Sequence, residues 1–267
     1  MNVTSLGYRT DLMVRAREGS LAEDQGDCIV IRSPANPDFH WGNFLLVPAL
    51  DPGGLPGWAD RFAAEFPAAG HVAIGVDVGS PADADLVDLA EVAAAGLTAD
   101  RSAVLTASAL RPPPRPNGDA TYRPLSGDAD WEQSRGITLG AFGSDGDSDF
   151  ICARSAAMRA MTEAGDATWY GAFLGDDLCA QLGIVVDAGT GLARYQSVET
   201  RPDARRRGLA GTLTWHAGHA ALAAGRAATV VIVADPGETA IGIYRSVGFT
   251  DAQVQLGLAR QPPAEPD

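Results

Sequence analysis

The chain has 267 residues and no lysine; all 20 of its basic residues are arginine. That absence excludes a lysine nucleophile or Schiff base, and it removes the GxxxxGK[ST] loop of nucleotide-binding proteins. Cysteine is also scarce. Cys28, Cys152 and Cys179 lie far apart and form no CxxC pair, so they read as buried free thiols rather than a disulfide framework or a metal set. No apolar run approaches the roughly 18 residues of a membrane span. Met1–Thr10 lacks the basic flank and apolar block of a secretory signal. The expectation is a cytoplasmic protein with no membrane partner. Positive charge is short as well, with a net charge of −14. This argues against nucleic acid, whose phosphates demand a basic face, and against anionic lipid. An acidic field suits a cationic acceptor such as an amine, although solubility alone accounts for it.

What is present is a core and a seam. Hydrophobic residues make up 46% of the chain, ample for one large domain or two modest ones. Arg111–Gly118 (RPPPRPNG) can continue neither a helix nor a central strand. It divides the chain into an α/β domain over 1–110, a linker over 111–119, a second domain over 120–260 and a frayed Pro-rich tail over 261–267. In the first part, strands over 28–32, 43–47, 71–78 and 102–106 alternate with helices over 58–66 and near 86–93. The second part repeats this grammar. A strand over 121–125 precedes helices over 130–139 and 150–164. Strands over 169–174, 178–186 and 193–200 follow, joined by hairpin signals at Gly175–Asp177 and Asp187–Gly191 that make them antiparallel. A glycine-bearing loop, a helix over 209–224, a strand over 229–233, a helix over 236–247 and a strand over 249–258 complete it. The fold class is α/β (α+β), a mixed, mostly antiparallel sheet flanked by helices.

The loop between the strand ending at Thr200 and the helix starting at Leu209 carries the chemistry. Amides of a helix's first turn lack intrahelical partners and sit at the positive end of its dipole, which makes them an anion site. Gly208 allows close backbone approach, and Ala210 and Gly211 keep the first turn slim. Arg205, Arg206 and Arg207 oppose the helix dipole, so an anion is expected to compensate them; guanidinium suits phosphate.

Residues 198–210 (VETRPDARRRGLA) resemble motif A of the GCN5-related N-acetyltransferases. The motif's Arg/Gln-x-x-Gly-x-Gly/Ala core falls on Arg205, Gly208 and Ala210. Residues 240–249 (AIGIYRSVGF) resemble motif B, which ends in Tyr-x-x-x-Gly-Phe. The order and separation also agree. The resemblance implies the acyl-CoA N-acyltransferase fold in two tandem domains, the N-terminal one degenerate and lacking any basic glycine loop. An unrelated α/β module would explain that half nearly as well. The implied activity is transfer of an acetyl group from acetyl-CoA to a primary amine of a small molecule or peptide, with no metal. The implied cofactor site comprises Val198, Glu199, Thr200, Arg205, Arg206, Arg207, Gly208, Leu209, Ala210, Gly211 and Thr212. The strand ends near Thr200 and Val233 would splay to admit the pantetheine arm. A backbone amide near Glu199 or Thr200 would stabilise the oxyanion. Tyr244 matches the tyrosine that protonates the departing thiolate in many members, and the alternative is a core tyrosine with a backbone partner. Glu199 stands at the right strand end for a general base, but could equally face solvent.

One position departs from the family pattern: Gly237 stands where many members carry Asn. The adjoining Asp235–Glu238 instead reads as an N-cap, an N1 proline and an N3 glutamate. His216 and His219, three apart on one helix, lack a third ligand and read as non-metal histidines. Asp145–Asp149 departs from a calcium loop, since Phe150 stands where glycine is required; it reads as an acidic loop on the acceptor side. Two other functions compete: a non-catalytic acyl-CoA sensor, and a protein binding nucleotide phosphate at the same loop. The lack of any lysine weakens the latter.

Overall fold

The computed structural model describes residues 1–48, 50, 54–142 and 148–261, in two compact units. Met1–Val104 with the residues from Ala252 onward form the first, and Leu105–Asp251 the second. Residues 111–119 thus fall inside the second unit, and the final strand counts with the first. This differs from the 1–110 and 120–260 division that the proline seam suggests, and strand pairing is the reason. The glycine-rich run over 51–57, the acidic loop over 145–149 and the tail over 261–267 lie wholly or partly outside the described residues.

The first unit comprises α1 (Leu6–Arg17), β1 (Leu21–Asp24), β2 (Ile29–Arg32), β3 (Phe44–Val47), α2 (Leu55–Glu65), β4 (Val72–Val76), α3 (Pro81–Ala84), α4 (Leu89–Ala94), most of β5 (Thr98–Ala107) and, from the far end of the chain, β11 (Thr250–Arg260). The order runs β1-β2-β3-β4-β11, with β3 parallel to β4 and the other neighbours antiparallel. Strands β3 and β4 are buried at every residue, as continuous apolar runs in a parallel pair require. From Leu256↔Val76 to Arg260↔Val72, β11 lies along β4, and this ladder recruits the chain's last strand. Sequence pattern misses α1, whose apolar spacing is interrupted by arginines. The helix is fixed instead by Asp77, which accepts from the amides of Thr4 (2.8 Å) and Ser5 (2.7 Å). Buried Tyr8 also holds it, donating to the Leu256 carbonyl at 2.6 Å.

The second unit comprises β6 (Thr121–Pro124), α5 (Gly127–Phe142), α6 (Ser148–Ala164), β7 (Ala167–Leu174), β8 (Asp177–Asp187), β9 (Leu192–Thr200), α7 (Leu209–Ala223), β10 (Thr229–Ala234) and α8 (Ala240–Ser246). Strands β6 to β9 form an antiparallel meander, and β10 runs parallel to β9 after the crossover through α7. The sheet is therefore mixed and mostly antiparallel, with helices packed on it. Helix α8 is shorter than its sequence suggests. Asp235 accepts from the Gly237 amide at 2.7 Å in a local turn, and Thr239 is the N-cap. Asp235 and Glu238 therefore do not cap α8, because the short turn competes successfully for the same amides. Cys28 and Cys179 are buried as expected, but Cys152 is exposed on α6. No described helix is long and apolar enough to cross a membrane.

Candidate functional site

The parallel pair β9–β10 opens toward its C-terminal end. Pairing runs from Thr229↔Leu192 to Val231↔Arg194 and stops there. Strand β9 continues to Thr200 and β10 to Ala234, so the β10-side edge of β9 beyond Arg194 has no strand partner among the described residues. A bulge marks the opening. Gln181 pairs with Glu199 but Gly183 with Gln196, so β9 carries one extra residue, and Ser197 takes a left-handed φ of 48°. That conformation is strained for a residue with a side chain and turns the backbone out of the ladder. Val198, Glu199 and Thr200 follow it directly.

Beyond Thr200 the chain turns through Pro202–Ala204 and enters α7 at Gly208, an N-cap in the left-handed region (φ 79°) with no side-chain cap. The Thr212 amide bonds back to the Gly208 carbonyl at 3.1 Å. The amides of Arg207, Gly208, Leu209, Ala210 and Gly211 donate to no partner among the described residues. Arg205, Arg206 and Arg207 are exposed around them. Arg205 Nε donates to the Thr200 carbonyl at 3.3 Å, while Arg206 and Arg207 have no carboxylate within ion-pair distance among the described residues. Unpartnered amides, a dipole's positive end and exposed guanidinium groups are features that attract an anion.

Two small residues of this loop serve a purpose other than slimness toward a ligand. A Cβ on Gly208 would meet the Arg115 carbonyl oxygen at 2.7 Å, and one on Gly211 would meet Pro113 and Ile243 at 3.4 Å. Both glycines therefore admit the 111–118 segment. Thr212 is 5% exposed; its hydroxyl donates to the Gly208 carbonyl at 2.9 Å and accepts from the Asn117 amide at 2.9 Å. That hydroxyl is committed inside the protein. Leu209, 1% exposed, is likewise core.

Glu199 is partly buried and hydrogen-bonded. Its carboxylate accepts from Gln181 Nε2 at 2.7 Å and from the Thr138 hydroxyl at 2.9 Å. Gln181 Nε2 also lies 3.2 Å from the Ser134 carbonyl and 3.1 Å from Thr138 Oγ1; these acceptors fix the orientation of its amide. Helix α5 brings Thr138 here because its start is anchored. Asp130 pairs with Arg123 of β6 and accepts from the Ser126 amide, and Gln133 accepts from the Leu178 amide at 2.8 Å. Burial pushes the Glu199 pKa up, against the opposing donation by Gln181 and Thr138 and the charge of Arg154. Glu199 is the part of this cluster that the sequence singled out. Thr138 and Gln181 were missed, since a lone Thr and Gln on separate elements leave no pattern.

Tyr244 lies on α8, 5% exposed, with its ring edge-on to Phe249 at 6.4 Å. Its hydroxyl bonds to no described residue, and burial pushes its pKa up to about 12. The backbone partner weighed for a purely structural tyrosine is thus missing. Gly237 sits in the turn before α8 with its amide on Asp235. His216 lies 6.0 Å from the rings of both Tyr122 and Tyr170, and His219 stacks on Trp215. Among the described residues no cluster of His, Cys, Asp and Glu could hold a metal ion.

Comparison with known proteins agrees with this architecture. The FR47-like protein family matches residues 171–256, which span β7 to β11. No curated protein sequence matches the chain. Among solved structures, a GCN5-related N-acetyltransferase from Kribbella flavida superposes with a TM-score of 0.69 at 17% identity, over 99% of this chain and 97% of its own. One from Sphaerobacter thermophilus gives 0.61 at 17% identity, over 91% and 85%. A tandem GNAT protein from the clavulanic acid biosynthesis pathway gives 0.56 at 11% identity, over 99% and 94%. The chain has the fold of the GCN5-related N-acetyltransferases. More particularly, the match to the tandem GNAT protein extends over both units.

Proposed function

We propose that the second unit is an acyl-CoA-dependent N-acyltransferase site, moving an acetyl group from acetyl-CoA to a primary amine of a small molecule or peptide. The observation that carries this reading is the opening of β9 from β10 beside the Ser197 bulge, leading straight into unpartnered amides at the start of α7. Acetyl-CoA supplies an activated thioester. The amides of Gly208–Gly211 and the guanidinium groups of Arg205, Arg206 and Arg207 hold its pyrophosphate. The free edge of β9 over Val198–Thr200 pairs with the pantetheine amides, as a missing strand would.

Glu199 takes the proton that the attacking amine loses as its C–N bond forms; the C–S bond breaks and sulfur leaves with the electron pair. Raised by burial, the Glu199 carboxylate is a better base than a solvated one. An amide near Glu199 or Thr200 faces the developing oxyanion. Tyr244 acts at the departing sulfur. Its pKa of about 12 stands roughly 3 to 4 units above a thiol's, so full proton transfer would be uphill by about 5 kcal/mol. A hydrogen bond to the thiolate, stabilising by about 1.5–3 kcal/mol, is therefore its main contribution, with solvent supplying the final proton. Retention of a desolvated, hydrogen-bonded Glu199 favours a catalyst over an acyl-CoA sensor, which has no use for a buried base.

The test is thiol release from acetyl-CoA across a panel of amines, comparing wild type with Glu199→Gln. Turnover on at least one amine, lost in the variant, supports the enzyme. Tight acetyl-CoA binding without turnover on a broad panel favours the sensor.

A further inference from the structure

The segment 111–118 behaves as part of the phosphate loop's scaffold. Its first residue holds the end of α8: the Arg111 amide donates to the Val247 carbonyl at 2.9 Å, and Arg111 Nε donates to the Ser246 carbonyl at 3.1 Å. Its last residues hold the start of α7. The Arg115 carbonyl occupies the space where Gly208 would carry a Cβ. Asn117 uses every polar atom it has. Its side-chain amide donates to the Arg207 carbonyl at 2.9 Å, and its backbone amide donates to the Thr212 hydroxyl at 2.9 Å. Its Oδ1 accepts from the amides of Asp119 and Ala120, both at 3.0 Å, and its carbonyl accepts from the Tyr122 hydroxyl at 3.1 Å. Thr212 passes the contact on by donating to the Gly208 carbonyl at 2.9 Å.

These bonds bear on the loop's geometry. The peptide between Arg207 and Gly208 is held at its carbonyl by Asn117, and the next carbonyl is held by Thr212. With both carbonyls tied back, the amides of Gly208 and Leu209 keep one orientation. Arg206, at φ 61°, and Gly208, at φ 79°, adopt conformations that a free loop would sample only in part. An anion site made of amides gains affinity from such prior ordering, because the ordering cost does not fall on binding.

We infer that Asn117, acting through Arg207 and Thr212, is a positioning residue for the pyrophosphate of the acyl donor, and that the strap 111–118 is a working part of the donor site. The inference rests on the reading of this loop as the donor's phosphate site, and its test separates the two. Calorimetric titration with CoA and with pantetheine, which lacks the pyrophosphate, is carried out on wild type and on Asn117→Ala, Thr212→Val and Thr212→Ser. The expected result is a loss of about tenfold in CoA affinity for Asn117→Ala and Thr212→Val. Thr212→Ser, which keeps the hydroxyl, stays close to wild type, and pantetheine affinity is unchanged throughout. If Asn117→Ala does not fold, the nearly isosteric Thr212→Val answers the same question. Unchanged CoA affinity in the folded variants would overturn the inference, as would an equal fall for CoA and pantetheine, which marks a merely structural role. Failure of the wild type to bind CoA would overturn the donor-site reading itself.

Discussion

The two units solve the same local problem in opposite ways. Each contains a strand, a loop, a helix and a second strand parallel to the first: β3–α2–β4 in one, β9–α7–β10 in the other. In the first unit the parallel pair stays closed to its end. Leu45↔Ile74 leads to Val47↔Val76, and the Asp77 amide still reaches the Val47 carbonyl at 2.8 Å. At the start of the helix that follows, the Leu55 amide donates to the Glu91 carboxylate at 3.2 Å. In the second unit the strands part after Arg194, and the amides at the start of α7 have no acceptor among the described residues. The first unit thus has a closed parallel pair, with an acidic side chain at its helix start, and the second an open pair, with arginines around its own. On the proposed reading, it is the unpaired edge and the amides without partners among the described residues, and not the fold by itself, that distinguish the second unit.

The comparison can be broken at several points. The largest effect is expected for Glu199→Gln, which should lower kcat/KM by about a hundredfold or more, as removal of a general base does. In wild type the acid limb of the rate profile should fall above the usual carboxylate range, because the pKa is raised, and the variant should lack it. The same shift sets a stability trend. The folded state holds the Glu199 proton more tightly than the unfolded chain, so stability contributed by Glu199 falls as pH rises between the unfolded and folded values. Melting curves should therefore show Glu199→Gln more stable than wild type near neutral pH, with the gain vanishing once both states are protonated.

Gly208→Val comes next. A branched side chain at φ 79°, with its Cβ 2.7 Å from the Arg115 carbonyl, must move the loop, and CoA affinity should fall by more than about tenfold. Tyr244→Phe removes only a hydrogen bond to the leaving sulfur, so kcat should fall by roughly tenfold while CoA affinity is preserved. The smallest effect is expected in the first unit. Glu91→Ala frees the α2 start at a cost of about 1 kcal/mol, read as a lower melting temperature, and should create no second CoA site. Gain of CoA binding by that variant would erase the distinction drawn between the units.

Much of the second unit is legible in the sequence, because its signals are local. The alternation over 169–200, the turn residues at 175–177 and 187–191 and the glycine–arginine loop each fix their own neighbourhood. The arginines and Gly208 stand at the start of α7. Partnerships between distant residues are not legible. Nothing near Thr138 or Gln181 announces that they meet at Glu199, and nothing in a proline-rich run says that Asn117 reaches Arg207. The same holds for β11, whose alternation predicts a strand but not its partner β4. Helix α1 fails for a different reason: its stability lies in tertiary bonds to Asp77 and Leu256 rather than in apolar periodicity. The N-terminal start of α8 is misread because Asp235 bonds locally instead of capping.

The central claim is that this chain carries one donor site, at the loop between β9 and α7. Calorimetric titration of the full chain with CoA, repeated on the Arg205→Ala, Arg206→Ala, Arg207→Ala triple variant, tests it most directly. One equivalent of CoA per chain, with affinity falling by at least about a hundredfold in the variant, is the predicted result. Two equivalents, or one equivalent indifferent to the three arginines, would contradict it.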